Sequence, residues 1–97
     1  ALKYINRALE VAPQTASILD TKAAILLSAN RHDEALSSIE AALRIDSKNP
    51  RFLLHKAQIL TGLDRVEEAR EICLELPREG PGSYTIELNE LRALLNL

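Results

Sequence analysis

At 97 residues, of which 46% are hydrophobic, the chain is long enough for one domain with a continuous core. Its 12 basic and 14 acidic residues give a net charge of −2, so we expect no general attraction to nucleic acid or to a membrane surface. The single cysteine excludes an internal disulfide framework and a multi-cysteine zinc site. The longest apolar runs are too short to span a bilayer, and the compartment stays undetermined.

The spacing of apolar residues predicts helices along the whole chain. In chain order, the six predicted helices cover residues 1–12, 16–29, 33–45, 50–61, 64–76 and 84–97. No segment shows the strict alternation that is typical of a half-buried strand. The connections are only a few residues long, so we expect consecutive helices to be antiparallel neighbours.

Local signals predict how several of these helices begin and end. Asn49 is expected to cap the helix that starts at the following proline. Gly62 is expected to stop that helix in the left-handed conformation. Asp64, with a glutamate three residues later, predicts a capping box, and Ser83 is expected to cap the last helix.

Small and apolar residues recur at an interval of 34 along the helices. The matched positions are Ala1, Ala35 and Ala69; Ala8 and Ala42; Ala23 and Ala57; and Leu26, Leu60 and Leu94. A fixed period in this range predicts helix pairs stacked into a solenoid. The small side chains would let the two helices of a pair approach closely, so we expect Ala35 and Ala69 to be buried.

This pattern resembles the tetratricopeptide repeat, a 34-residue helix–turn–helix unit with small residues at these places. The resemblance implies an all-α fold, a right-handed α-solenoid of antiparallel helix pairs with about six helices in roughly three units. We expect one domain over 1–97, with a second helix of a partial unit in 1–15, full units in 16–49 and 50–83, and a terminal first-type or capping helix in 84–97. Leu19 and Leu53 replace the tryptophan of the family, and Asn30 and Asp64 replace its turn glycine.

The resemblance also implies a concave groove, lined by the first helix of each pair, in which a partner peptide lies. The predicted groove residues are Ser17, Asp20, Thr21, Ala24, Ser28, Arg51, Leu54, His55, Gln58, Thr85, Asn89 and Arg92. Of these, the partner-binding set is expected to be Asp20, Thr21, Arg51, His55, Gln58, Asn89 and Arg92. Charge-assisted hydrogen bonds from its cationic members would favour a weakly acidic peptide. The alternative is that these residues are merely solvated polar positions.

The leading hypothesis for function is therefore a protein–protein interaction module that is not itself an enzyme. The alternative is a regulatory or oligomerising segment of a larger multidomain enzyme. A metal or thiol site is a third reading, but His32 and His55 are 23 residues apart without ligands at metal-binding spacing. Cys73 is more simply a buried hydrophobe. We expect no catalytic residues, no metal and no cofactor.

The two ends of the chain are predicted to be apolar and to lack their hairpin mates. The sequence has no methionine, so we expect it to be a fragment of a longer protein. Leu2, Ile5 and Leu9 would lose part of their cover at one end. At the other end, Ile86, Leu91 and Leu94 are expected to pack inward, leaving Leu88, Leu95 or Leu97 exposed. Self-association through the terminal helices would follow from such faces.

Overall fold

The computed structural model describes residues 15–97. The helix predicted over 1–12, with its alanines and with Leu2, Ile5 and Leu9, lies outside the described residues. Within 15–97 all regular structure is helical. The five helices are α1 (Ala16–Ser28), α2 (His32–Ile45), α3 (Pro50–Gly62), α4 (Val66–Glu75) and α5 (Tyr84–Leu94). The predicted helix bounds differ most at α4, which begins two residues later, and at α5, which ends three residues earlier.

The helices form two pairs and a fifth helix stacked against the second pair. Helix α1 packs on α2, and α3 packs on α4; α2 also contacts α3, which joins the two pairs. Helices α1 and α3 touch each other, as do α3 and α5, so these three helices form one layer. The prediction of an all-α solenoid of helix pairs is confirmed.

Buried alanines allow the helices of each pair to approach closely. Ala23 and Ala35 are fully buried between α1 and α2, and Ala57 and Ala69 are fully buried between α3 and α4. The expected burial of Ala35 and Ala69 is therefore confirmed. Cys73 is also fully buried in the second pair, and burial raises the pKa of its thiol. It acts as a small hydrophobe.

Three helices end in the same left-handed turn. Asn30, Asp64 and Asn96 have φ values of 61°, 62° and 59°. In each turn the next residue donates its backbone N–H to the carbonyl five residues earlier, at 2.8 Å. Such bonds satisfy carbonyls that the helix end leaves unpaired, and asparagine and aspartate tolerate this conformation better than most residues. These turns reverse the chain from α1 into α2 and from α3 into α4.

The predictions for Gly62 and Asp64 were wrong for the same reason. Gly62 is the last residue of α3, and the left-handed residue is Asp64. Asp64 thus belongs to the end of α3, and Arg65 occupies the N-cap of α4 without a side-chain capping bond. A Cβ at Gly62 would clash with the ring of His32, so a larger residue there would require that side chain to move.

Of the two other predicted N-caps, Asn49 makes capping hydrogen bonds and Ser83 does not. The Oδ1 atom of Asn49 accepts hydrogen bonds from the backbone N–H groups of Arg51 at 3.0 Å and Phe52 at 3.3 Å, which confirms it as the N-cap of α3. Ser83 precedes α5 but makes no capping bond, so that prediction was wrong. Its hydroxyl instead donates to Oε2 of Glu87 at 2.6 Å.

The 34-residue period does not extend to α5. Asp64 follows Asn30 by 34 residues, but Asn96 follows Asp64 by only 32. The buried residues show the same spacing. Tyr84 and Leu91 in α5 are buried, and they follow the buried Phe52 and Ile59 of α3 by 32 residues. Phe52 and Ile59 pack in the core of α1 and α2, and Tyr84 and Leu91 pack in the core of α3 and α4. We call this relation between α3 and α5 the 32-residue register.

The shorter spacing follows from an early end of α4. Leu76 precedes Pro77 and is extended, with φ −75° and ψ 146°, which ends α4 after ten residues where α2 has fourteen. Extended residues advance about 3.3 Å each and helical residues about 1.5 Å. An extended residue at Leu76, in place of a further turn of α4, accompanies the spacing that is two residues shorter.

The structure differs from most of the packing predicted for the last helix. Leu88 and Leu95 are buried, whereas Ile86 and Leu94 are 63% and 73% exposed. The predictions for these four residues were wrong. Leu91 is buried and Leu97 is exposed, both as predicted.

Candidate partner-binding groove

The layer formed by α1, α3 and α5 carries an open groove. At its centre is a cavity of about 260 Å³, lined by Ala23, Ala24, Leu27 and Ser28 of α1, by His55, Gln58 and Ile59 of α3, and by Glu87 of α5. We use the term groove for these residues and their neighbours on the same face of the three helices. The small side chains of Ala24 and Ser28 leave the cavity open on the α1 side.

A hydrogen-bonded pair joins α1 to α3 at the edge of the groove. The imidazole Nδ1 of His55 lies 2.5 Å from Oδ1 of Asp20, and the side chains are only 14% and 11% exposed. Asp20 was predicted as a groove residue, but its carboxylate is committed to His55. Sequence spacing could not show this pairing, because the two residues are on different helices 35 positions apart.

The sequence analysis did not identify Glu87, whose carboxylate lines the cavity. Its Oε2 accepts from Ser83 at 2.6 Å, and its Oε1 accepts a long hydrogen bond of 3.4 Å from Nε2 of Gln58. The bond from Ser83 is the main reason that the pKa of Glu87 is lowered; Gln58 and the charges of His55 and Arg51 act in the same direction, and burial opposes them. Glu87 therefore carries its negative charge at neutral pH.

The 32-residue register explains why Glu87 was missed. Arg51, His55 and Gln58 are the groove positions of α3. Their equivalents are Ser17, Thr21 and Ala24 in α1, and Ser83, Glu87 and Glu90 in α5. A period of 34 assigns Thr85, Asn89 and Arg92 to these positions instead. Aligning the chain on its left-handed turn residues, two asparagines and an aspartate, would have identified the correct positions.

Asn89 and Arg92 occupy a different face of α5. Their equivalents in α3 are Ala57 and Leu60, which pack in the core shared with α4. The side chain of Arg92 is accordingly close enough to Cys73 of α4 for its charge to oppose the rise in the thiol's pKa. The structure thus brings Asp20, His55 and Gln58 together with Glu87, and it places Asn89 and Arg92 outside the groove.

Of the remaining predicted residues, Thr21 and Arg51 lie at the margins of the groove, whereas Leu54 is buried in the core. Thr21 turns its hydroxyl to the carbonyl oxygen of Ser17 in its own helix, at 2.9 Å. Arg51 is exposed at the start of α3, where it also lines a second cleft of about 310 Å³. This cleft is bounded by the loop before α5, which the hydroxyl of Tyr84 fastens by donating to the carbonyl oxygen of Pro77 at 2.7 Å.

Residues 15–97 contain neither a metal-binding cluster nor a helix that could span a membrane. No group of three or more His, Cys, Asp or Glu residues in 15–97 could hold a metal ion. His32 instead contacts Gly62, and His55 contacts Asp20. None of the five helices has the length and apolarity needed to cross a membrane.

Comparison with known proteins gives one family along nearly all of the chain. Sequence models of the tetratricopeptide repeat match residues 26–95 and residues 1–50. The chain is 35% identical over 77 residues to the cell division cycle protein 27 homolog A of Arabidopsis thaliana. The match covers 79% of this chain and 11% of that relative. No solved structure matches the chain.

Proposed function

We propose that this chain, which belongs to the tetratricopeptide repeat family, binds a protein or peptide partner in the groove formed by α1, α3 and α5. Repeats of this family mediate protein–protein interaction and are not catalytic. Solenoids of stacked helix pairs offer extended concave surfaces for such partners. The proposed partner-binding surface is the groove, and not α2, α4 or the ends of the array.

The observation that supports the groove is an open cavity with both apolar and polar walls. Ala23, Leu27 and Ile59 supply apolar surface, and the polar groups of His55 and Glu87 lie at the same cavity. A binding site of this composition can bury an apolar side chain and orient it with a few polar contacts. The methyl group of Ala24 is exposed, so the residues of 15–97 leave this space unfilled.

The test is to fill the groove without disturbing the core. Ala24→Arg adds a long side chain at an exposed position of α1 that lines the cavity. Ser37→Arg is the matched control, since Ser37 is exposed on α2, outside the groove. A random peptide library displayed on phage would be panned against the 97-residue chain, and the selected peptides measured against both variants by fluorescence polarisation.

We expect selected peptides to bind the wild type and Ser37→Arg alike, and Ala24→Arg at least about tenfold more weakly, a loss of about 1.4 kcal/mol. Circular dichroism would establish that both variants keep the helicity of the wild type. Equal affinity for all three proteins would refute the groove as the binding surface. Binding would then have to be assigned to α2, α4 or the ends of the array.

The chain spans 11% of the length of the curated relative. The activity and partners of that whole protein are therefore not assigned to this chain. A regulatory or oligomerising segment of a larger enzyme stays a prediction from the sequence. Its test is separate from that of the groove, because intramolecular docking requires the rest of such an enzyme to be present.

A further inference from the structure

The charges of the groove are unevenly distributed between its two sides. On the side of α1 and α3, Asp20 and His55 are committed to each other, and the exposed cation Arg51 lies at the margin of the groove. On the side of α5, Glu87 lines the cavity, and Glu90 is an exposed residue on the next turn, equivalent in the 32-residue register to Gln58 of α3; we call these two residues the acidic wall. Among the ion pairs of residues 15–97, none includes either member of the acidic wall. Glu87 is hydrogen-bonded only by the neutral donors Ser83 and Gln58.

The floor beside the acidic wall is apolar. Ala23, Leu27 and Ile59 line the same cavity of about 260 Å³ as Glu87. A ligand group that fits both surfaces has an aliphatic portion and a cationic end. Lysine and arginine side chains have this form, since their methylene stems pack on apolar surface while the charged head reaches a polar site.

From this juxtaposition, and on the premise that the groove is the binding surface, we infer that the partner inserts a lysine or arginine side chain. Its stem packs on the apolar floor, and its head pairs with Glu87 and Glu90. An acidic peptide, which the sequence alone favoured, would instead bring like charge against the acidic wall. Hydrogen bonds between charged partners are stronger than neutral ones, so the acidic wall would select the partner as well as hold it.

The first test is the composition of the peptides selected by panning the 97-residue chain. We expect peptides whose binding is lost in Ala24→Arg to be enriched in lysine and arginine relative to the unselected library. Enrichment of acidic residues, or of uncharged residues alone, in those peptides would overturn the inference while leaving the groove as the binding surface. Peptides indifferent to Ala24→Arg would instead overturn the proposed function on which the inference rests.

The second test removes the charge of the acidic wall with little change of shape. In the double variant Glu87→Gln, Glu90→Gln, the glutamine at 87 keeps an oxygen that can accept from Ser83. The matched control is Glu71→Gln, Glu75→Gln, which makes the same change of net charge at exposed positions of α4. We expect roughly a tenfold loss of affinity for a selected lysine-containing peptide in the first variant and none in the control. Equal affinities in the two variants would overturn the inference.

The third test exchanges the charges of the peptide and of residue 87, so it does not depend on the stability of the double variant Glu87→Gln, Glu90→Gln. Replacing the critical lysine of the peptide by glutamate should weaken its binding to the wild type and restore part of its binding to Glu87→Lys. For the wild type alone, raising the salt concentration should weaken the lysine-containing peptide more than the same peptide with glutamine in place of lysine. No difference between these two peptides in salt dependence would overturn the inference, even if the variants of Glu87 failed to fold.

Discussion

Truncation of Leu88, compared with truncation of Ile86, tests the packing of α5 directly. Leu88 is fully buried in the core that joins α3, α4 and α5, whereas Ile86 is 63% exposed. Removing a buried leucine side chain to alanine typically costs about 2–5 kcal/mol, because contacts are lost and a cavity remains. Removing an exposed isoleucine side chain is expected to change the free energy of unfolding by about 0.5 kcal/mol.

These free energies translate into separable melting temperatures. In a domain of this size, 1 kcal/mol corresponds to roughly 4–8 °C in Tm. Leu88→Ala should therefore lower Tm by about 8–16 °C at the least expected cost of about 2 kcal/mol. Ile86→Ala should lower it by no more than about 4 °C. Circular dichroism at 222 nm during heating would measure both variants against the wild type.

Because α5 is stacked at one end of the described array, Leu88→Ala can also release this helix before the rest unfolds. Hydrogen exchange of the backbone amides would show that event as lost protection in α5 with retained protection in α3. A larger cost for Ile86→Ala than for Leu88→Ala, by either measurement, would refute this packing of α5.

Three further predictions concern the helix interfaces, the groove carboxylate and the exposed end. Ala35→Leu should overpack the interface between α1 and α2 and cost about 1–3 kcal/mol; an unchanged thermal melt would contradict its burial. Ser83→Ala removes the main cause of the lowered pKa of Glu87, so the wild type should exceed this variant in stability above the carboxyl's ordinary pKa of 4.5. That difference should disappear as the pH falls through the lowered pKa, and urea midpoints at pH 7 and pH 3 would measure it. The chain is expected to self-associate through exposed apolar residues of α5. The double variant Ile86→Glu, Leu94→Glu should therefore have a lower mass than the wild type by light scattering. A strictly monomeric wild type at high concentration would contradict this prediction.

The all-helical fold, the order of the helices and the close-packed interfaces between them could all be predicted from the sequence. These features depend on local patterns, such as apolar spacing within one helix and small residues at a repeated interval. Asn49 also shows its role in the sequence, since an N-cap acts on backbone groups only two and three residues away. The burial of Ala35 and Ala69 followed from the same repeated pattern.

The composition of the groove depended on features that only the tertiary structure contains. The early end of α4 at the extended Leu76 moved α5 by two residues, which changed the face that each side chain presents. Two residues in a helix amount to about 200° of rotation, so this small shift placed Glu87 on the groove and Asn89 and Arg92 elsewhere. The partnership of Asp20 with His55 likewise required α1 and α3 to be in contact. A repeat period determines which helices stack, whereas the path of each loop determines which residues of those helices face a partner.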